Sequence, residues 1–138
     1  MILTGSEIHK QVSNNKIHIK PFDEQQINPN SYNYRLGDNL VEILDMPIDP
    51  MNKTTTRAIE FNEDGYVLNP NKLYLANTYE EIGSSSYVTS LIGRSSLGRL
   101  GLFLQITADL GHLGAKHSWT LELKVIQPLR IYPRILIG

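Results

Sequence analysis

The sequence predicts a mainly β protein that begins with one short helix. After residue 16, alternating or β-branched apolar stretches recur at intervals of about 8–12 residues, separated by Asn-Pro and glycine turns. Short strands at this spacing are typical of a sandwich or barrel rather than of alternating strand–helix units. No internal repeat or linker interrupts the 138 residues, so we expect residues 1–138 to form one domain.

The helix is predicted at the start of the chain, in the segment MILTGSEIHKQVSNNK. Thr4 and Glu7 have the spacing of a capping box, in which each side chain bonds the other residue's backbone amide. Ile8 and Val12 lie one turn apart and give the helix a narrow apolar stripe. The two asparagines at 14–15 predict its end.

Strands and turns follow in regular succession. The first strand, KIHIKPF, alternates apolar and polar residues, as a half-buried strand does. Glycine, aspartate and asparagine at 37–39 predict a break, and the prolines and threonines of 45–58 predict a loop. The strands are expected within residues 16–22, 40–44, 65–82, 86–93, 102–110, 118–126 and 129–138.

Charge and composition limit the classes of function. Thirteen basic and 14 acidic residues give a net charge of −1, which provides no long-range field to attract nucleic acid. The chain has no cysteine, so it forms no disulfide and no thiolate metal site, as suits a reducing cytoplasm. It has no apolar run of about 18 residues and no signal segment, so we expect no membrane partner.

Residues 93–101, GRSSLGRLG, concentrate polar donors and glycines in one short stretch. One interpretation is a surface turn between strands. The other is an anion cradle, in which backbone amides, serine hydroxyls and forked guanidinium donors face phosphate oxygens. The stretch matches neither common nucleotide-binding glycine motif, because it has neither GxGxxG before a helix nor a terminal GK[ST].

Three segments together resemble a known family. GRSSLGRLGL (93–102) resembles the characteristic loop of the dCTP deaminases, relatives of the trimeric dUTPases. INPNSYNYRLG (27–37) and TLEL (120–123) resemble two further segments of that family. The resemblance implies a distorted jelly-roll or β-clip fold of the dUTPase type. It also implies a homotrimer, or a hexamer, with active sites shared between subunits.

The resemblance assigns catalysis to three residues. On a strand, Glu122 faces away from its neighbours Leu121 and Leu123, which fits either a site carboxylate or an ordinary solvent-facing residue. The family has its catalytic glutamate in TLEL, which implies that Glu122 takes a proton from water and returns it to the leaving amine. By the same resemblance, Ser95 would help to position the water and Arg99 would order the site electrostatically.

The resemblance also implies the substrate contacts. Arg94 and Ser96 would hold phosphates, and backbone groups near Ile106 and Ala108 would read the edge of the base. Mg²⁺ would arrive with the nucleoside triphosphate rather than in a protein cage. Zinc is not expected, because the chain lacks cysteine and its four histidines offer no complete ligand set. The family usually continues past the final Ile-Gly with a segment that closes over the triphosphate, so we expect this domain to lack that lid.

One segment departs from the family pattern D-P-G-F-x-G, which cradles the sugar. Without gaps, His112 stands at the position of the aspartate, and Asp109 could serve in its place. Asn33 likewise stands where the family has an aspartate. Sugar recognition is therefore open: His117 and Trp119 either form a new pocket wall, or Trp119 belongs to the core or an interface.

The predicted function is zinc-independent hydrolytic deamination of a cytosine nucleotide, in pyrimidine deoxynucleotide metabolism. The leading interpretation is that dCTP gives dUTP and ammonia. His112 in place of aspartate makes a dUTPase-type pyrophosphatase the weaker alternative, and an enzyme that performs both reactions also fits the family. Another alternative is a nucleotide-binding module without turnover. A structural β domain with no ligand ranks lowest, because the arginines and serines of 94–99 have no evident folding role.

Overall fold

An antiparallel sheet forms the body of the fold in the computed structural model, which describes residues 1–105 and 107–138. The elements are α1 (Gly5–Ser13), β1 (Ile17–Lys20), β2 (Ile27–Asn28), β3 (Ser31–Tyr32), β4 (Leu36–Ile43), β5 (Thr56–Ala58), β6 (Tyr66–Leu68), β7 (Tyr74–Ser84), α2 (Ser95–Gly98), β8 (Leu102–Leu104), β9 (Lys116–Val125) and β10 (Leu129–Ile131). Among the described residues, the strand order of the main sheet is β5–β4–β7–β9–β8, and β1 pairs with the far end of β7. The mainly β class is therefore confirmed.

The core lies on one face of this sheet. In β9, Leu121, Leu123 and Val125 are buried, while the residues between them point to the other face. Their partners on β7 continue the pattern, because Tyr74 pairs with Leu123 and Ala76 with Leu121. Each large apolar side chain buried here stabilises the fold by about 1.5–3 kcal/mol. This alternation orients every side chain on β9, including that of Glu122.

The N-terminal helix forms where the sequence predicts it, with half of the expected capping box. Thr4 Oγ1 accepts the Glu7 amide at 3.3 Å. The Glu7 carboxylate does not return the bond, since it accepts Gln11 Nε2 at 2.6 Å, one turn further along the helix. The helix ends at Ser13. Within the described residues, no helix is long and apolar enough to cross a bilayer.

The predicted break at residues 37–39 is wrong, because β4 continues through it with a change of register. Leu36 pairs with Thr78 and Leu40 with Ala76, so residues 37–39 lie opposite Asn77 alone. A Cβ at Gly37 would lie 2.5 Å from the Asn77 side-chain nitrogen, so any larger residue there would displace the Asn77 side chain. The residues that predict a turn therefore form a bulge inside a strand.

The predicted strand at 86–93 is also wrong. This stretch makes only an isolated bridge, between Ser90 and Leu110. Val88 and Ile92 remain 58% and 60% exposed, so their β-branched side chains have no sheet to cover. The propensity is present, but no neighbouring strand supplies a continuous ladder.

Two other predicted elements, the loop at 45–58 and the strand at 102–110, end earlier than expected. The predicted 45–58 loop ends in β5, which pairs with β4. The strand predicted over 102–110 stops at Leu104, because Gln105 takes a left-handed backbone conformation with φ of 50°. That turn lies beside Glu122.

Candidate active site

The GRSSLGRLG segment folds as a short helical turn rather than as an extended loop. Arg94 precedes α2, and its carbonyl accepts the amides of Leu97 at 3.1 Å and Gly98 at 2.9 Å. Ser95 and Ser96 are both exposed at the start of this turn. The turn therefore presents two hydroxyl groups to solvent, which is one of the elements of an anion cradle.

Of the glycines in this segment, Gly101 has a demonstrable backbone role. Its φ is +91°, and a Cβ there would lie 2.6 Å from Ile126. Gly98, in contrast, has nothing within 4 Å of a built Cβ. The surface beside Gly98 is thus open on the same turn that carries the serines.

Arg94 is anchored to the last residues of the chain. Its amide donates to Ile137 O at 3.2 Å, and its Nη1 lies 3.5 Å from Leu136 O. Nearby, the Tyr34 hydroxyl donates to Ile92 O at 3.1 Å. Burial raises the pKa of Tyr34, so its hydroxyl keeps the proton that this bond needs. The start of the helical turn is thus held from two sides.

A groove of about 980 Å³ runs along this turn. Arg94, Ser95 and Ser96 line one end of it, and Asn33 also lines it. Apolar side chains dominate the rest, and they come from the N-terminal segment, β1 and residues 87–92. Glu122 and Arg99 are not among the lining residues, so the groove in one chain holds only part of the predicted site.

Glu122 lies where the alternation of β9 predicts. It is half-buried on the sheet face opposite Leu121 and Leu123, and it pairs with Leu75 of β7. Its backbone amide donates to Gln105 Oε1 at 2.6 Å. The backbone that carries the carboxylate is therefore bonded to Gln105 on one side and lies opposite Leu75 on the other.

Gln105 is a site residue that the sequence patterns did not reveal. Its side chain spans two predicted positions, since Oε1 accepts the Glu122 amide and Nε2 donates to Ala108 O at 3.3 Å. Its amide also donates to Glu122 O at 3.3 Å. Nothing local marks this glutamine in the sequence, because its role depends on a partner 17 residues away.

The two residues predicted to contact the sugar, Asp109 and His112, lie in different surroundings. Asp109 Oδ2 accepts the Ser90 hydroxyl at 3.2 Å, and Ser90 lines the groove beside Arg94. His112 is exposed in a turn, where its carbonyl accepts the Ala115 amide at 3.1 Å. Asp109 is thus linked to the groove through Ser90, whereas His112 is not among the residues that line it. Ile106, predicted to read the base, lies outside the described residues.

Trp119 supports the core rather than a pocket wall. It lies on the same face of β9 as Leu121, opposite Glu122, and its Nε1 donates to Ile82 O at 2.8 Å. The His117 ring lies 4.0 Å from the Trp119 ring, centroid to centroid. Of the two interpretations left open, the structure favours the one in which Trp119 is a packing residue.

The predicted residues fall into two groups within one chain. Arg94, Ser95 and Ser96 line the groove, whereas Glu122 and Ala108 are linked through Gln105. Among residues 1–105 and 107–138, no hydrogen bond or ion pair joins the Glu122 carboxylate to Ser95 or to Arg99. Over the same residues, no three His, Cys, Asp or Glu side chains are grouped as metal ligands.

Comparison with known proteins identifies the family. Residues 2–138 match the family described as dCTP deaminase-like. The chain belongs to the dCTP deaminase-like family. This match covers both groups of predicted site residues and confirms the resemblance seen in the three sequence segments.

Individual family members cover nearly the whole chain. The chain is 47% identical over 137 residues to a Clostridium beijerinckii protein named dCTP deaminase, dUMP-forming, covering 99% of this chain and 79% of that one. A Leptospira biflexa protein of the same name is 44% identical, with coverages of 99% and 78%. A Rhodopirellula baltica protein named dCTP deaminase is 43% identical, with coverages of 99% and 69%.

A solved structure shares the fold. The crystal structure of 2'-deoxycytidine 5'-triphosphate deaminase from Agrobacterium tumefaciens superimposes with a TM-score of 0.75 at 20% sequence identity. The match covers 99% of this chain and 46% of that chain. The dUTPase-like fold class implied by the sequence resemblance is thus confirmed.

Proposed function

We propose that this chain is a hydrolytic deaminase of dCTP and that its product is dUMP. The overall reaction consumes two waters: dCTP + 2 H₂O gives dUMP + NH₃ + pyrophosphate. The sequence patterns favoured dUTP as the product. Relatives 43–47% identical that are named dUMP-forming move the proposal to the alternative in which one enzyme performs both steps.

Glu122 is the observation that carries the proposed deamination. A half-buried carboxylate, carried by a strand backbone that is bonded to Gln105, can take a proton from water as it adds to the amino-bearing ring carbon. The same carboxylate can then deliver a proton to the departing amine, so that ammonia leaves and the ring carbonyl forms. In this proposal Ser95 positions the water, and the positive charge of Arg99 stabilises the anionic forms of the site.

The phosphate end of the substrate is assigned to the turn at Arg94. Ser95 and Ser96 expose hydroxyl groups there, and Arg94 supplies a forked donor. Mg²⁺ is proposed to enter as the complex of the triphosphate, with its oxygen ligands supplied largely by substrate and water. Because deoxynucleoside triphosphates are its substrates, we also propose a cytoplasmic location.

The first test is a product assay on the purified chain. We expect dCTP with Mg²⁺ to yield ammonia and dUMP, and a zinc-selective chelator to leave the rate unchanged. CTP, dCMP, CMP and dUTP complete the panel. Ammonia with dUTP as the final nucleotide would restore the simpler deaminase. Pyrophosphate from dUTP without ammonia from dCTP would indicate the pyrophosphatase, and binding without any product would indicate a nucleotide-binding module.

We further propose that the active site forms between subunits of a homotrimer. The support is that Glu122 lies outside the groove lined by Arg94, Ser95 and Ser96 within one chain. Phe103 of β8, whose partner Lys124 shares the sheet face of Glu122, is 46% exposed. A second chain seated on that face would cover apolar surface and could bring its own serines to the carboxylate.

Mixing two inactive variants tests this shared site. Glu122→Gln and Ser95→Ala chains are each expected to be nearly inactive alone. Random mixed trimers place an intact Glu122 beside an intact Ser95 from another chain, so about a quarter of wild-type activity should return on co-refolding. A mixture that stays inactive while sedimenting as trimers would assign both residues to one chain. A monomer at micromolar concentration would contradict the trimer itself.

A further inference from the structure

The turn at Arg134 lies against irregular parts of two strands, at Asp38 in β4 and Tyr79 in β7. Asp38 lies in the β4 bulge, and Tyr79 lies in a matching irregularity of β7, where residues 78–80 all face Trp119 of β9. Arg134, in the turn after β10, has a φ of 64°, which is an unfavourable conformation for a residue with a Cβ. Asp38, Tyr79 and Arg134 therefore each lie where the backbone departs from regular geometry.

Arg134 joins these irregular segments through its side chain. Its Nε donates to Asp38 Oδ1 at 2.7 Å, and its Nη2 donates to Asp38 Oδ2 at 2.5 Å. Its guanidinium carbon lies 3.8 Å from the centre of the Tyr79 ring. A forked carboxylate pair combined with ring stacking fixes the direction of an arginine more closely than either contact alone. We call Asp38, Tyr79 and Arg134 the C-terminal clamp.

The clamp secures the segment that follows it. The Arg134 amide donates to Leu36 O, and the Leu36 amide donates to Ile135 O, both at 2.9 Å. The Ile137 amide then donates to Tyr34 O at 3.0 Å. Residues 135–138 are thus laid alongside residues 34–36 in one fixed register.

This segment in turn holds the proposed phosphate contact. Ile137 O accepts the Arg94 amide, and Leu136 O lies 3.5 Å from Arg94 Nη1. The clamp therefore connects to Arg94 through only two or three residues of backbone. A shift of Ile137 by a fraction of an ångström would move the amide and the guanidinium of Arg94 together.

We propose that Arg134 is a positioning residue for triphosphate binding, acting through residues 135–137 on Arg94. This inference rests on the proposed function only in taking Arg94 as a phosphate contact. The side chains of Arg134 and Asp38 are both about half-exposed, at 48% and 51%, so solvent screening limits what their pair contributes to global stability. Its geometric effect is more specific, because the forked pair and the ring contact fix a residue with a left-handed backbone directly before the segment that meets Arg94.

The decisive variant is Arg134→Gly. Glycine accepts the left-handed backbone without strain, so the substitution removes the clamp and preserves the turn. We expect inorganic triphosphate, titrated calorimetrically, to bind about tenfold more weakly than to the wild type. The KM for dCTP should rise by a similar factor while kcat changes less than about twofold. Arg134→Lys, which keeps the charge without the fork, should recover only part of the loss.

Arg130→Ala is the matched control. Arg130 is an arginine in β10 whose Nη1 donates to Asp64 O at 3.0 Å rather than to Asp38. The triphosphate affinity of Arg130→Ala should equal that of the wild type. Arg94→Ala gives the loss of affinity expected when the phosphate contact itself is removed. If Arg134→Gly does not fold, Asp38→Asn removes the charge of the clamp partner and should weaken triphosphate binding in the same direction.

The outcomes separate this inference from the proposed function. Unchanged triphosphate affinity in Arg134→Gly would overturn the clamp, even in an active deaminase. Weakened affinity in Arg134→Gly, together with no ammonia from dCTP in the wild type, would support the clamp and refute the deaminase. A wild type that does not bind inorganic triphosphate would overturn the positioning role, since Arg94 would then have no phosphate to meet.

Discussion

Glu122→Gln is expected to reduce ammonia release from dCTP by about a thousandfold or more, because the amide cannot accept and return the proton. The substitution is nearly isosteric. The Glu122 backbone keeps its bonds to Gln105 and its position opposite Leu75, so the fold should be retained and dCTP affinity should remain within about threefold of the wild type. Ammonia release tests the expected loss of turnover, and calorimetric dCTP binding on the same preparation tests the retained affinity.

Lys124→Gln is the matched control for this variant. Lys124 lies two residues further along β9, on the same sheet face, and is exposed. Its loss of charge should lower turnover far less than Glu122→Gln does, because an ammonium group cannot take the proton from water. Turnover near the wild-type level in Glu122→Gln would remove the carboxylate from the mechanism. Lost dCTP binding together with a lowered unfolding temperature would assign Glu122 a structural role instead.

Glu80→Ala is expected to lower the free energy of unfolding by about 3–5 kcal/mol, because it leaves the partly buried Arg35 guanidinium unpaired and a cavity where the carboxylate was. The Glu80 side chain is completely buried. Its Oε1 accepts Arg35 Nε at 2.7 Å and Gln26 Nε2 at 3.3 Å, and its Oε2 accepts the Arg35 amide at 2.8 Å. Removing the carboxylate leaves both Arg35 donors without this acceptor, while Gln26 Nε2 keeps its bond to Asn33 O at 2.6 Å. Urea unfolding at fixed protein concentration measures the loss.

Glu81→Ala provides the comparison for Glu80. Glu81 is adjacent in β7, and its carboxylate meets His18 at 3.1 Å in a partly exposed pair. Such pairs are worth about 0–1 kcal/mol, so this variant should be nearly as stable as the wild type. Glu80→Gln keeps the shape and should lose about 1–3 kcal/mol. A loss below about 1 kcal/mol in Glu80→Ala would contradict the assigned role of the carboxylate in the fold.

Short-range patterns predicted those parts of the site that depend on near neighbours. The capping threonine marked the start of α1, and alternation in TLEL placed Glu122 on the face opposite Leu121 and Leu123. The density of arginine, serine and glycine in GRSSLGRLG predicts an anion cradle, and this role stays a prediction. Each of these signals is contained within about one turn of helix or one strand.

Other contacts of the fold and of the site could not be predicted, because the two residues that make each contact are distant in the sequence. Gln105 reaches Glu122 across 17 residues, and Arg35 reaches Glu80 across 45. The short helix at Ser95 was hidden by its glycines, which favour a loop when propensity alone is considered. In each case the local sequence permits several conformations, and the tertiary contact selects one.

The sequence by itself determined the β class, the family and the face of β9 that carries Glu122. The tertiary structure alone decided that the turn signal at 37–39 is a bulge, that residues 86–93 form no strand, and that Arg134 meets Asp38 across 96 residues. The physical reason is that periodicity encodes burial, while register and bulges depend on which strand arrives as neighbour. A side chain's face is a local property, whereas its partner belongs to the whole fold.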